Sequence, residues 1–229
     1  LIGGGLTPKP GEISLAHRGV LFLDEFHQFP KFLIEDLRQP LENKYITISR
    51  NNLFCVFPCS FMLVIATNPC YCGYNGDSKK KCICSLKEIE KYWSNISGPI
   101  MDRIDMRIRI PRINEEAFII DKNSEPSLSI RNRIIKAHKI QSNRYTKSKF
   151  RFNSEIGPEF INKWLKDNIK IKDFLFKITN KYSMTGRAIA SLIKVSRTIA
   201  DMENSKNIEE NHILEALNYR INFNFYDRN

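Results

Sequence analysis

The chain has 229 residues, 42% hydrophobic and 27% charged, enough to bury a core in one large domain or two small ones. Lys and Arg number 36 against 25 Asp and Glu, net +11 with a pI near 9.4, a surplus that points to a polyanionic partner, nucleic acid first. No apolar run approaches the roughly 18 residues of a membrane helix and no signal peptide is visible, so six cysteines argue for reduced thiols or a metal in a cytoplasmic setting.

Residues 1–18 carry Gly3 to Gly5, Pro8, Pro10 and Gly11, a loop-like stretch in which His17 is read as structural. Val20-Leu21-Phe22-Leu23 then reads as a strand buried on both faces, as inside parallel sheets. It ends in Asp24-Glu25. Ligands of open α/β sheets sit beyond the carboxyl ends of strands, and buried charge needs a partner or a metal. A Mg²⁺-holding Asp followed by a water-polarising Glu is the Walker B arrangement of P-loop ATPases; the plainer reading is a strand that stops at a polar turn.

Pro30 can start a helix with Leu33, Leu37 and Leu41 on one face, and Pro40 should end or kink it; Phe26, Phe29 and Phe32 are expected core anchors. Residues 45–57 read as a hairpin turning at Asn51-Asn52, with Arg50 at its tip and Lys44 at its base. Both cations could meet a DNA backbone or simply face solvent. Phe61 to Ala66 is a second apolar strand, followed by Asn68, which comes near Asp24 and Glu25 if the two strands are parallel neighbours. An amide there could orient water or bind a γ-phosphate.

Cys70-Tyr71-Cys72 and Cys82-Ile83-Cys84 flank a loop with Gly73, Gly76 and Lys79 to Lys81. Two such pairs can bring four thiolates to one Zn²⁺, with four free structural thiols as the alternative; Cys55 and Cys59 read as apolar fillers. Arg103 precedes an alternating segment, Met106, Ile108 and Ile110, read as a strand, and could pair with Asp102 or Asp105. Residues 114–127 read as a linker. Helices are expected over 128–142, 157–167, 172–182 and 208–219, with a longer one capped by Thr185 that carries Ile189, Leu192, Ile193, Ser196 and Ala200 on one face. Arg187 falls in the first turn of that helix, where a cation opposes the helix dipole unless an anion is near.

The series GEISLAHRGVLFLDEF, IATNPCYCGYNGD, SGPIMDRIDMRI and SMTGRAIASLIKVSRTIADME resembles the magnesium-chelatase-like AAA+ proteins, specifically the ComM/YifB competence family, over essentially the whole chain. The order of elements is also similar to the MCM helicases. The resemblance implies an α/β fold: part of an AAA+ P-loop core, parallel sheet with helices and a β-hairpin insertion, over 1–113, then an all-α lid over 128–229. It assigns Mg²⁺ binding to Asp24, polarisation of the attacking water to Glu25, sensor 1 to Asn68, the arginine finger to Arg103 and sensor 2 to Arg187. It matches the hairpin around Arg50 to the pre-sensor 1 hairpin of DNA motors. It further implies ATP, ring hexamers, and ATP-driven branch migration of DNA in the cytoplasm of transformable bacteria.

One departure matters. No G-x-x-x-x-G-K-[ST] motif occurs, so this chain lacks the Walker A cradle for the β/γ-phosphates. The expectation is a truncated gene product or the C-terminal portion of a longer polypeptide, inactive as an ATPase by itself. Two other readings remain: a non-catalytic binding or assembly module, and a magnesium-chelatase subunit acting on a porphyrin, which the paired cysteines disfavour.

Overall fold

A computed structural model describes residues 1–5, 7–50, 53–112 and 124–221. The chain divides into two compact units, one over Leu1–Ile104 and one beginning at Asp105.

In the first unit, β1 (Gly3–Gly4) pairs antiparallel with β2 (Lys9–Pro10), and α1 (Glu12–Leu15) follows. Then comes β3 (Val20–Leu23), a 3-10 turn over Phe26–Gln28, α2 (Lys31–Asp36) and α3 (Arg38–Asn43). The helix breaks at Leu37 rather than at Pro40 itself, and Pro40 is buried inside α3. A proline cannot donate to the carbonyl four residues back, here Asp36, so the ladder fails one turn upstream. Phe26 is buried as expected, but Phe32 is 65% exposed and anchors nothing; Ile34 and Leu37 fill that place.

Strands β4 (Tyr45–Arg50) and β5 (Leu53–Pro58) form the expected antiparallel hairpin, with Arg50 opposite Leu53; its turn, Asn51-Asn52, lies outside the described residues. Strand β6 (Met62–Ile65) runs parallel to β3, Leu23 opposite Ile65. The reading of β3 as buried on both faces needs correction: Leu21 and Leu23 are buried, while Val20 and Phe22 are each 58% exposed. Side chains alternate across a strand, and among the described residues only one face of this two-stranded sheet is covered. The unit closes with α4 (Leu86–Trp93) and α5 (Gly98–Arg103).

The second unit is helical. It comprises α6 (Ser127–Arg144), a 3-10 turn over Asn153–Glu155, α7 (Pro158–Asp167), α8 (Ile169–Lys181), α9 (Gly186–Met202) and α10 (Glu210–Ile221). Thr185 caps α9, its Oγ1 accepting the Ala188 amide at 3.1 Å. Leu192, Ile193 and Ile199 of α9 join Ile213 and Leu217 of α10 and Leu175 and Ile178 of α8 in one core. The strand expected over 106–110 does not form: the Arg107 amide donates instead to the Tyr219 carbonyl at 2.7 Å, and Ile108 and Ile110 are exposed. The last carbonyls of a helix have no partner within it, so the end of α10 takes the amide a neighbouring strand would have used. Most of the expected linker, residues 114–123, lies outside the described residues.

Candidate functional site

Parallel pairing of β3 with β6 brings the ends of both strands to one edge. The Ala66 amide donates to Leu23 (3.0 Å) and the Phe26 amide to Ala66 (3.1 Å), so the register continues past both strands. Asp24, Glu25 and Asn68 therefore emerge at the same end of the sheet, all three exposed. Glu25 sits in the left-handed region, φ 48° and ψ 42°, which a side chain adopts at a cost of roughly 1–2 kcal/mol. Its amide donates to Asp24 Oδ1 at 2.8 Å, and Gln28 Nε2 donates to its Oε2 at 2.8 Å. One or two exposed carboxylates at a strand end suit a hard cation such as Mg²⁺, which keeps most of its water.

Behind this edge lies a network that the linear sequence did not disclose. His27 stacks on Tyr92, ring centroids 3.7 Å apart and planes 11° from parallel, with the Trp93 ring edge-on at 4.6 Å. His27 Nδ1 hydrogen-bonds Thr67 Oγ1, which also meets the Tyr92 hydroxyl at 3.2 Å. Trp93 Nε1 donates to the Pro69 carbonyl (3.1 Å), and Asn95 Nδ2 donates to the carbonyls of His27 (3.0 Å) and Phe29 (3.3 Å). Burial lowers His27 to a pKa of about 4, so the imidazole is neutral at physiological pH. Its Nε2 is buried without a partner. The one available signal was position: Thr67 abuts Asn68, and His27 follows Glu25 by two.

The four cysteines of the paired motifs converge. Their Sγ atoms all lie within 4.8 Å of one another, with Cys70–Cys72 at 3.4 Å, Cys72–Cys82 at 3.5 Å and Cys70–Cys82 at 3.7 Å. Four sulfurs about 2.3 Å from a tetrahedral zinc stand about 3.8 Å apart, so the group forms a candidate metal site. Gly73 (φ 80°) and Gly76 (φ 74°) supply the left-handed turns that fold the intervening loop back, and Asp77 Oδ1 accepts the amides of Lys79 (2.7 Å) and Lys80 (2.9 Å). Burial opposes ionisation of Cys72, yet the Tyr74 and Ile83 amides and the thiols of Cys70 and Cys82 bring it down to about 6. Burial, reinforced by Cys72 and Cys70, pushes Cys82 up to about 12. One thiolate thus forms readily and the next is resisted, the behaviour a cation at the centre would reverse. Cys59 is buried and Cys55 half-buried, apart from this cluster.

The remaining residues fall elsewhere. Arg103, last in α5, pairs with Glu42 of α3 rather than with Asp102 or Asp105, and donates to the Pro99 carbonyl at 2.8 Å; its Nε is buried without a partner. Asp105 belongs to the second unit, where it hydrogen-bonds Ser191 Oγ. Arg187 is exposed in the first turn of α9. Arg50 donates to the Gly5 carbonyl at 3.3 Å, and Lys44 ends α3 in a left-handed conformation, φ 61°. Both are exposed. No described helix is long and apolar enough to cross a membrane.

Comparison with known proteins gives this arrangement a context. Residues 1–118 match the family model "Magnesium chelatase, subunit ChlI", and residues 124–220 match its C-terminal counterpart. Competence protein ComM of Haemophilus influenzae is 40% identical over 96% of the chain, and YifB of Escherichia coli is 34% identical over 96%. A more distant similarity, 23% over 87% of the chain, links it to the archaeal Lon protease of Methanocaldococcus jannaschii. The chain spans 42% of the length of the ComM and YifB relatives. With a strand-end carboxylate pair, a parallel neighbour and a helical second unit in the family's order, the chain belongs to the magnesium-chelatase-like AAA+ family and is related to its ComM and YifB members.

Proposed function

We propose that this chain is the C-terminal part of a ring-forming ATPase, a hexamer, that couples ATP hydrolysis to DNA remodelling of the branch-migration type. Asp24 holds Mg²⁺, Glu25 polarises the attacking water, and Asn68 orients it or the γ-phosphate. Arg103 serves a neighbouring subunit's nucleotide and Arg187 contacts phosphate from the lid; Arg50 and Lys44 meet the DNA backbone. Residues 1–113 are the AAA+ part, 114–127 the linker and 128–229 the lid. The four cysteines hold one Zn²⁺, a structural ion with a closed ligand set. The observation that carries the reading is the convergence of Asp24, Glu25 and Asn68 at one end of paired parallel strands. Where ligands bind beyond strand ends, this is where a nucleotide's terminal phosphate and metal would lie. A Walker A segment must be supplied by a further stretch of polypeptide, and the ATPase belongs to the assembled protein.

The Arg103–Glu42 pair bears on the mechanism. Arg103 is 12% exposed and Glu42 47%, so the pair stabilises by about 1 kcal/mol or less. An arginine finger contributes about 10³–10⁵ in rate, roughly 4–7 kcal/mol, enough to draw Arg103 from Glu42 in the transition state. The test uses a polypeptide in which this chain follows a Walker A-bearing segment. Arg103→Ala and Glu25→Gln should each nearly abolish ATPase activity, the first in the neighbour's site and the second in its own. Mixed rings should regain part of the activity, because some interfaces then have Glu25 on one side and Arg103 on the other. Mixed rings as inactive as their parents would remove Arg103 from the neighbour's site.

A further inference from the structure

Asn68, the residue assigned to the reacting phosphate, is held from both sides by contacts that trace back to the cysteine cluster. On its N-terminal side, Thr67 Oγ1 is bound by His27 and by the Tyr92 hydroxyl. On its C-terminal side, the Pro69 carbonyl accepts from Trp93 Nε1, and the next residue is the buried Cys70. Tyr92 and Trp93 close α4, whose N-cap, Ser85, directly follows Cys84. A full capping box fixes that start: Ser85 Oγ accepts the Glu88 amide (3.2 Å), and Glu88 Oε2 accepts the Ser85 amide (2.7 Å). At 1.5 Å per residue, α4 is a rigid lever about 12 Å long, running from the sulfur cluster to the aromatic platform under the strand ends. The ring of Tyr71, between two of the cysteines, adds an edge contact to Tyr92 at 4.9 Å.

We infer that the thiolate centre acts as a brace for the nucleotide site. Zinc ties residues 70–72 to residues 82–84, which anchors both the segment carrying Asn68 and the start of α4, and His27, Tyr92 and Trp93 are positioning residues that carry this constraint to the turn following Glu25. The inference rests on the proposed zinc site and, for its catalytic consequence, on the role given to Asn68. Without the metal, four thiols in contact replace four metal–sulfur bonds. The Asn68 segment then keeps the Tyr92, Trp93 and His27 contacts, but the helix that presents two of them loses its anchor. The metal itself is remote from chemistry and acts on order. This accounts for the stacked imidazole: a neutral ring buried against Tyr92 with one nitrogen unpartnered packs as a spacer between the strand end and α4.

The chain loaded with zinc, stripped with a mercurial and thiol, and reloaded, is followed by hydrogen exchange and by Trp93 emission in a Trp164→Phe background. Zinc removal is expected to raise exchange at Thr67, Asn68 and Phe26 to Gln28 by about tenfold or more and to red-shift Trp93, with reloading restoring both. Exchange in β4 and β5 should not change. Cys82→Ser should mimic removal, and Cys55→Ser should not. Tyr92→Leu should leave zinc binding intact while uncoupling Phe26 to Gln28 from the metal; Tyr92→Phe, which keeps the ring, should restore the metal response there. If about one zinc binds but exchange at 26–28 and 67–68 is the same with and without it, the brace is refuted. If no zinc binds, the metal reading falls and the inference with it. If exchange responds but zinc-depleted assembled enzyme keeps full ATPase activity, the brace stands and the role given to Asn68 fails.

Discussion

Asp201 allows the energetics of the helical unit to be tested directly. Its carboxylate is fully buried and receives Arg144 through two nitrogens, Nη1 at 2.8 Å to Oδ2 and Nη2 to Oδ1. Arg197 donates from Nη2 (2.9 Å) and Nε (3.2 Å), and Asn153 from Nδ2 (2.8 Å). One side chain thus joins α6, the turn at Asn153, and α9, while Arg197 also donates to the carbonyls of Ser205 (2.6 Å) and Lys206 (3.0 Å). Asp201→Ala would leave two guanidinium groups close together without a counter-charge, a loss of about 3–5 kcal/mol. Domains of this size are stable by about 5–15 kcal/mol, so the melting temperature should fall by about 15–30 °C. The assay is thermal and urea unfolding by circular dichroism. Asp201→Asn should recover part of the loss, because it keeps the shape and one acceptor. Replacing the trio by apolar residues of similar volume, Arg144→Met, Arg197→Met and Asp201→Leu, should recover more. Burial opposes ionisation of Asp201, but hydrogen bonds from Arg144 and Asn153 and the charges of Arg197 and Arg144 hold its pKa below the usual value. The contribution is therefore complete above the unfolded carboxylate pKa and lost as pH falls through the folded one, so it should be flat at neutral pH and fade only in strong acid. A loss below about 1 kcal/mol for Asp201→Ala would refute the reasoning, since no buried charge pair would then be at stake.

His27 acts with the same sign in a higher pH window. Its folded pKa of about 4 lies below the unfolded 6.5, so the unfolded chain binds the extra proton first and stability should fall as pH drops from 6.5 to 4. With the ring part-accessible, the loss is of order 1–2 kcal/mol, and His27→Phe, which keeps the stack on Tyr92, should flatten that segment of the stability profile; an unchanged slope would place the titration elsewhere. At the hairpin, Arg50→Ala in the assembled protein should weaken DNA binding alike across sequences and reduce the salt slope by about one phosphate contact; an unaltered slope would leave Arg50 with the Gly5 carbonyl alone.

What could be read from the residues was local or periodic. Thr185 as a cap, the apolar face of α9 and the pairing of residues 45–50 with 53–58 follow from spacing that the backbone enforces within a few residues. The strand-end carboxylates and Asn68 were legible because each terminates an apolar run. Distant partners were not. Arg103 and Glu42 are 61 residues apart, and the shorter-range carboxylates Asp102 and Asp105 were the natural candidates. Residues 106–110 carry a genuine alternation, yet a strand needs a free neighbouring edge, and the amide of Arg107 is taken by the end of α10. The His27, Thr67 and Tyr92 contacts join three segments, and each residue alone reads as ordinary packing.

The backbone at Glu25 sets the preferences of that position in an unusual direction. A left-handed conformation suits glycine or asparagine better than glutamate, so replacement by either should relieve the fold even as it removes the carboxylate. Under selection for stability alone, position 25 would drift away from Glu. Under the catalytic role proposed for Glu25, descendants freed from that role should lose this residue early and become slightly more robust, making position 25 a marker of whether a relative keeps the proposed chemistry.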